Sequence, residues 1–184
     1  MKILVINGPN LNMLGKRDPV KYGTLSLETI KTQLSACMSR QAIAKKCDCT
    51  LIFFQSNCEG AIIDFLQKES SREADGILIN PGVLVRYGYS LRQALIDHGK
   101  PFVEVHMSDI NKTGVNKSVN VLEDIRLCQV VSLKKKSYFV GLKKLILSLR
   151  GSRSQLRETK QSSYSRDCFT PFAMTKKCYE HKSK

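Results

Sequence analysis

The residues best suited to chemistry follow the apolar run 3–6, in the polar segment 7–15 (NGPNLNMLG). Gly and Pro favour sharp turns, and the Asn amides supply hydrogen-bond donors and acceptors without charge. Arg17 and Tyr22 come next, so a cation and a phenol lie in the same stretch. The GxxxxGK[ST] and GxGxxG patterns of phosphate-binding loops do not occur in this sequence. The segment therefore indicates a site for a small molecule rather than a phosphate cradle.

Tyr22 and His106 are the side chains best suited to acid–base catalysis. A phenol ordinarily has a pKa of about 10, so a tyrosine acts as a base near neutral pH only when a nearby cation stabilises the tyrosinate. Arg17 can supply that cation, and the imidazole of His106 can donate a proton near neutral pH. Each residue also has a structural interpretation, with Tyr22 as an apolar anchor of its loop and His106 as a hydrogen-bonded histidine at a strand end.

Polar residues follow each of the first four apolar runs, in segments 7–12, 55–60, 80–82 and 106–109. The carboxyl ends of parallel strands lie on one edge of a sheet, so these groups are expected to converge on a shared site. Glu59 and Glu104 could orient site residues, or serve as a helix N-terminal acid and a surface carboxylate. Lys117 could hold an anionic or hydroxylated substrate, or be one more solvated lysine.

The elements that would position these residues alternate between short apolar strands and amphipathic helices. The predicted strands are 2–6, 49–54, 76–79, 102–105 and 127–133, and the predicted helices are 27–44, 61–68, 91–98 and 138–149. Ser26 is a suitable N-cap for the first helix, and Gly99 is suited to end the third. The alternation predicts an α/β fold, a flavodoxin-like doubly wound five-stranded parallel sheet with helices on both faces. Residues 151–184 turn to Ser, Lys, Arg and Thr, which predicts a basic, disordered C-terminal tail.

The composition narrows the class of function. The chain has 184 residues and a formal net charge of +14, but residues 151–184 hold eight Lys and Arg against three Asp and Glu, so the excess is spread along the chain. Aromatic and basic residues do not interleave, so nucleic acid is an unlikely main partner. No apolar run approaches the roughly 18 residues of a membrane span, which argues against a membrane partner. Seven cysteines without a secretory signal favour a reducing cytoplasm and free thiols, and the pair Cys47 and Cys49 is weak support for a metal site.

Residues 3–23 (ILVINGPNLNMLGKRDPVKYG) strongly resemble the opening of the type II 3-dehydroquinate dehydratases, also called type II dehydroquinases. The resemblance continues in order through FFQSNCEGAIIDFLQ, DGILINPG, SLRQALIDHGKPFVEVHMSDI and SYFVGL, over roughly residues 1–149. It implies a dehydroquinase-like domain at 1–150 that dehydrates 3-dehydroquinate to 3-dehydroshikimate in the shikimate pathway. It also implies a flavodoxin-like fold, no metal or organic cofactor, and a homo-oligomer, commonly a dodecamer built from trimers.

The resemblance assigns roles to residues of this chain. Tyr22 is the base that takes the proton beside the substrate ketone, and Arg17 supports the tyrosinate on a mobile lid. Asn12 holds a water or a hydrogen bond to the enolate oxygen, and His106 protonates the departing hydroxyl. Substrate binding falls to Asn80, which contacts hydroxyls, to Met107 and Ser108, which receive the carboxylate, and to the aligned positions Arg86, Gln93 and Lys117.

The chain also departs from the family pattern. Arg86 stands where the family usually has a substrate-contacting histidine, and Gln93 replaces an acid that reaches toward a neighbouring subunit. Lys117 replaces an arginine that binds substrate, which keeps the charge but loses the planar fork. Other changed positions are Cys58, Thr113 and the run 133–136. Two alternatives therefore stay open: a catalytically weakened homologue acting as a binding or assembly protein, and a basic nucleic-acid-binding protein on the same scaffold.

Overall fold

The computed structural model describes residues 1–40, 49–112 and 119–162. The chain divides into two compact units, Met1–Gly151 and Ser152–Lys184. In the second unit only the backbone of residues 152–162 is described, and it is helical. The fold of interest is therefore that of the first unit.

A five-stranded parallel sheet forms the centre of the first unit. Its strands are β1 (Lys2–Asn7), β2 (Thr50–Gln55), β3 (Gly76–Asn80), β4 (Phe102–Val105) and β5 (Cys128–Val130). They lie in the order β2-β1-β3-β4-β5, and every neighbouring pair is parallel. The predicted doubly wound α/β sheet is confirmed. The chain winds outward in opposite directions from β1 and β3, and a crevice forms at such a switch point.

In the described ranges, six α-helices connect or flank the strands: α1 (Pro19–Tyr22), α2 (Leu27–Arg40), α3 (Glu59–Gln67), α4 (Glu69–Arg72), α5 (Tyr89–His98) and α6 (Lys136–Ser162). Two short 3-10 turns add Leu11–Met13 and Gly82–Arg86. The predicted caps are confirmed, because the Ser26 hydroxyl accepts from the Thr29 N–H at 3.1 Å and Gly99 ends α5 with φ 69°.

Alternating residues of the strands face two apolar layers. Ile3 and Val5 of β1 pack with α2 and α6 on one face, while Leu4 and Ile6 pack with α3 and α5 on the other. This period of two follows from the strand geometry, and it buries both faces of the sheet. The layers leave the carboxyl edge of the sheet free for polar groups.

The structure changes several predicted boundaries. The fifth strand is limited to Cys128–Val130 instead of 127–133, because Ser132 and Lys134 turn the chain with φ of 65° and 48°. The last helix begins at Lys136 and continues to Ser162, so residues 151–162 are helical where a disordered tail was predicted. The end of the predicted helix 27–44 lies outside the described residues, as does the rest of the tail, 163–184.

Two further facts concern the described part of the chain. No helix in it has the length and apolar character needed to cross a membrane. Its cysteines, Cys37, Cys49, Cys58 and Cys128, form no disulfide bond with one another.

Candidate active site

A cavity of about 420 Å³ opens at the carboxyl edge of the sheet. The loop after β1, the end of β3, the turn Gly82–Arg86 and the segment after β4 line it. Seven of the predicted site residues are among its walls: Arg17, Tyr22, Asn80, Arg86, His106, Met107 and Ser108. The expected convergence at one sheet edge is what this structure displays.

A close backbone approach shapes the floor of the cavity. The Gly8 N–H donates to the Asn80 carbonyl at 2.8 Å, which ties the end of β1 to the end of β3. A Cβ at Gly8 would lie 2.4 Å from the Pro81 carbonyl oxygen, so only glycine fits there. On the other side, the Asn57 side-chain oxygen accepts from the Asn10 N–H at 3.0 Å and holds the loop after β1.

Tyr22 is delivered to the cavity by the short helix α1. Asp18 caps this helix, since its side chain accepts from the N–H of Val20 at 2.8 Å and of Lys21 at 3.4 Å. The guanidinium carbon of Arg17 lies 3.8 Å from the centroid of the half-buried Tyr22 ring. The arginine thus stacks on the face of the phenol ring.

The segment carrying Arg17 and Tyr22 lies between two glycines in the left-handed region, Gly15 with φ 87° and Gly23 with φ 83°. Other residues adopt this conformation at an energetic cost. Glycines at both ends suit a loop that can change its angle to the sheet.

His106 lines the cavity and makes a buried contact with Glu104. Its Nε2 lies 2.6 Å from Oε1 of Glu104, and both residues are at most 2% exposed. A carboxylate can only accept, so Nε2 carries the proton of this bond. Nδ1 is then the ring nitrogen that remains for chemistry in the cavity.

Glu104 is a fully buried carboxylate surrounded by donors. Besides His106, it accepts from Arg126 at 2.7 Å, from Gln129 at 2.8 Å and from Asn120 at 3.0 Å. Burial alone would raise the pKa of Glu104. The His106 hydrogen bond and charge, the Gln129 hydrogen bond and the Arg126 charge outweigh burial and hold the pKa below its ordinary value. The sequence left two interpretations of Glu104, an orienting residue and a surface carboxylate. Its burial and its bond to His106 fit the orienting role and exclude a surface position.

Asn80 reaches the cavity with its amide already bonded. Its Nδ2 donates to the Tyr138 hydroxyl at 2.9 Å, and its Oδ1 accepts from the Gly82 N–H at 3.2 Å. Sequence reasoning did not identify Tyr138 as part of the site. Tyr138 is 58 positions from Asn80 in the sequence. Its position on an amphipathic helix suggests an apolar side chain that packs in the core.

Arg86 lines the cavity and also joins two segments. Its guanidinium donates to the backbone carbonyls of Ile110 and Val119. These contacts could not be predicted from the sequence, because backbone carbonyls are the same in every residue type.

Two predicted site residues, Asn12 and Gln93, do not line the cavity, and a third, Lys117, is not described. Asn12 is exposed on its 3-10 turn, where the neighbouring Leu11 takes the buried position. Gln93 lies on α5 with its side chain bonded to Asp97 at 2.8 Å, and it does not line the cavity. Lys117 lies outside the described residues, as does Thr113.

Glu59 is a helix contact rather than a cavity residue. Its Oε1 accepts from the Leu91 N–H at 2.9 Å, in the first turn of α5. The acid therefore joins the start of α3 to the start of α5. Cys58, at the position before it, is exposed and does not line the cavity.

The charge of the cavity walls is positive. Arg17, Lys21 and Arg86 contribute cations, and none of the described lining residues is acidic. Such walls favour an anionic ligand. Within the described part of the chain, no group of three His, Cys, Asp or Glu side chains is arranged to hold a metal ion.

Comparisons with known proteins agree with this geometry. The sequence model of the family described as Dehydroquinase class II matches residues 1–146. A 3-dehydroquinate dehydratase of Roseiflexus castenholzii is 41% identical over 155 residues, covering 84% of this chain and 92% of the relative. One from Carboxydothermus hydrogenoformans is 42% identical over 146 residues, covering 79% and 90%.

Solved structures give the same result. The crystal structure of a type II dehydroquinase from Butyrivibrio crossotus DSM 2876 has a TM-score of 0.70 and 37% identity, covering 79% of this chain and 97% of that one. A type II dehydroquinase from Propionibacterium acnes has a TM-score of 0.69 and 26% identity, covering 79% of this chain and 96% of that one.

Proposed function

The chain belongs to the class II dehydroquinase family and catalyses the dehydration of 3-dehydroquinate to 3-dehydroshikimate, and on that premise we propose that Tyr22, Arg17 and His106 carry out the reaction in the cavity at the sheet edge. The observation that supports this assignment most directly is that a phenol stacked under a guanidinium and an imidazole bonded to a buried carboxylate line the same cavity.

Tyr22 is the proposed base. As tyrosinate it takes a proton from the carbon beside the substrate ketone, and the electron pair passes to the ketone oxygen to give an enolate. Arg17 stabilises the charged phenolate through their stacked contact. Glycines at 15 and 23 allow the segment that carries both residues to close over the substrate.

His106 is the proposed acid. It gives a proton to the departing hydroxyl, which leaves as water while the enolate collapses to the conjugated ketone. Glu104 keeps the imidazole in one orientation by accepting a hydrogen bond from its Nε2 at 2.6 Å. The chemistry needs a base and an acid on two sides of a small ring, and these residues supply both.

The remaining walls are assigned to binding. The backbone and hydroxyl at Met107 and Ser108 receive the carboxylate, with positive charge from Lys21 and Arg86 nearby. Asn80 binds substrate hydroxyls. The roles of Asn12, Gln93 and Lys117 rest on the family resemblance alone.

The experiment is a turnover assay on the purified full chain with 3-dehydroquinate. The product is a conjugated enone, so we expect ultraviolet absorbance to rise in proportion to enzyme concentration, with heat-denatured protein as the control. Tight binding of 3-dehydroquinate with no product above the uncatalysed rate would favour a weakened homologue that acts as a binding or assembly protein. The substitutions at Arg86, Gln93 and Lys117 are the reason to test that outcome.

Three wider assignments belong with this proposal. Residues 1–150 are the catalytic domain, because every residue that lines the cavity and the family match both fall within them. The protein works in the cytoplasm, a reducing compartment that suits a sequence with seven cysteines. It assembles as a trimer-based dodecamer, the state that the family resemblance implies.

A further inference from the structure

Tyr138 of α6 places a hydroxyl between the ends of two central strands. The side chain is 1% exposed, its hydroxyl donates to Oδ1 of Asn7 at 2.6 Å, and it accepts from Nδ2 of Asn80 at 2.9 Å. Asn7 and Asn80 are register partners at the carboxyl ends of β1 and β3. The last helix of the first unit therefore touches the strand ends where the cavity begins.

The direction of these hydrogen bonds fixes the Asn80 amide. Asn7 takes the phenol proton, so the hydroxyl oxygen can only accept from Asn80, and the amide must turn its NH2 group toward Tyr138. The Oδ1 atom of Asn80 is held from the other side by the Gly82 N–H at 3.2 Å. The two bonds together exclude the flipped amide.

Burial also keeps this phenol from acting as a proton carrier. It raises the pKa of Tyr138 above the ordinary value of a phenol, and the Asn80 bond offsets this only in part. The hydroxyl therefore stays protonated at any pH at which the enzyme works. Its function in the site is geometric, unlike that of Tyr22.

We propose that Tyr138 is a positioning residue of the active site, whose hydroxyl holds the Asn80 amide in the orientation that binds substrate hydroxyls. The inference rests on the proposed role of Asn80 in substrate binding. It adds α6, through a residue that does not line the cavity, to the elements that set substrate affinity.

The first test is Tyr138→Phe in the full chain, with kcat and KM measured separately. The phenyl ring keeps the packing and removes the hydroxyl. We expect KM to rise about tenfold, the equivalent of one lost hydrogen bond, with kcat changed by less than about threefold. The reason is that Asn80 binds the substrate hydroxyls equally in the ground state and the transition state.

A control on the same helix separates positioning from stability. Leu142 is 3% exposed and packs in the same apolar layer as Tyr138, but its side chain has no polar atom. Leu142→Ala should lower Tm at least as much as Tyr138→Phe and leave KM at the wild-type value. A KM that rises equally in both variants would mean that loosening of α6 is the cause, and would overturn the proposal.

A double-mutant cycle with Asn80→Ala tests whether Tyr138 acts through Asn80. If it does, adding Tyr138→Phe to Asn80→Ala changes KM by less than about twofold. If the two substitutions raise KM independently, so that the double variant shows the product of the two single increases, the inference is overturned. A wild-type KM for Tyr138→Phe would overturn it as well, and both results leave the proposed function in place. A wild-type KM for Asn80→Ala would instead refute the substrate role of Asn80.

Asn7→Ala replaces Tyr138→Phe if the latter does not fold. Without its acceptor the hydroxyl is free to donate to Asn80 as well as to accept from it, so only the Gly82 bond still sets the orientation of the amide. KM should again rise about tenfold. A folded Asn7→Ala variant with wild-type KM would contradict the proposal.

Discussion

The contact between Arg17 and Tyr22 is a stacking contact. The guanidinium carbon lies 3.8 Å from the ring centroid, so the charge faces the π-system of the phenol. A guanidinium in this position does not occupy the phenol oxygen. The oxygen is left to take a proton from a substrate.

Tyr22→Phe is expected to lower kcat by about 10²- to 10⁴-fold, the usual contribution of general acid–base catalysis. The phenyl ring keeps its face to Arg17, so we expect KM to change by less than about threefold and Tm to stay at the wild-type value. The measurements are enone absorbance and a thermal melt.

Tyr87→Phe is the matched control, because Tyr87 is a second phenol in the cavity wall and is 55% exposed. It should turn over at close to the wild-type rate. Near-normal kcat in Tyr22→Phe, or equal losses in both variants, would refute the assignment of Tyr22 as the base.

Among the elements, the turn Gly82–Arg86 lines the cavity and bonds to two later segments of the chain. The Arg86 guanidinium donates to the carbonyls of Ile110 and Val119, and the Val85 carbonyl accepts from the Val121 N–H at 2.9 Å. Arg92 of α5 adds a bond to the Val121 carbonyl at 2.8 Å. Arg86, at the position where the family resemblance implies a histidine, thus has structural contacts of its own.

Arg86→His, which restores the usual family residue, is expected to lower kcat/KM by about tenfold instead of raising it. An imidazole is shorter than a guanidinium and cannot donate to both carbonyls, and losing a charge-assisted hydrogen bond costs roughly 1.5–3 kcal/mol. Kinetics with 3-dehydroquinate measure the effect.

Arg86→Lys provides the comparison at the same position. Lysine keeps the positive charge but loses the planar fork. If the double contact matters, Arg86→Lys is impaired as well. A higher kcat/KM in Arg86→His would show instead that a histidine ligand for substrate outweighs the two carbonyl contacts.

Elements with a long local pattern were predictable from the sequence, and elements defined by single contacts were not. Strands β1 and β3 appear as continuous apolar runs, and the polar residues after them predicted the site. Helix α1 and the turn Gly82–Arg86 are too short to show a helical period. The end of β5 depends on the positive φ of Ser132 and Lys134, which their residue types do not announce.

The candidate site divides in the same way. Tyr22, Arg17 and His106 could be identified because their chemistry is local to their own loops. Glu104 was left between two interpretations until its burial and its donors distinguished them. Tyr138 could not be predicted, since its partner Asn7 lies 131 positions earlier in the chain.

At the scale of the first unit, the sheet separates two apolar layers, and few buried side-chain polar atoms of its described residues lack a hydrogen-bond partner. In the described part of the chain these are Nδ2 of Asn7 and Nδ1 of His98. His98 is 9% exposed, and its Nε2 lies 3.1 Å from the Ser71 carbonyl, which can only accept. Nε2 therefore carries the proton. Protonating Nδ1 as well would bury a second N–H that has no hydrogen-bond acceptor.

Burial lowers the pKa of His98, and the positive charges of Lys100 and Arg72 lower it further. The Ser71 hydrogen bond raises the pKa but does not outweigh burial. The unfolded chain therefore binds this proton at a higher pH than the folded chain does. The stabilising contribution is fully present above the unfolded pKa of about 6.5 and decreases as the pH falls through that value. Lowering the pH from about 7.5 to about 5.5 should cost the folded protein on the order of 1 kcal/mol through this residue.

His98→Gln tests this, because the glutamine amide can still donate to Ser71 but does not titrate. Urea unfolding of the wild type and the variant at both pH values gives four free energies of unfolding. We expect the drop in free energy on acidification to be smaller in the variant by about 1 kcal/mol. Equal pH dependence in the two proteins would mean that His98 titrates alike in the folded and unfolded chains, so that its burial between α4 and α5 does not affect global stability.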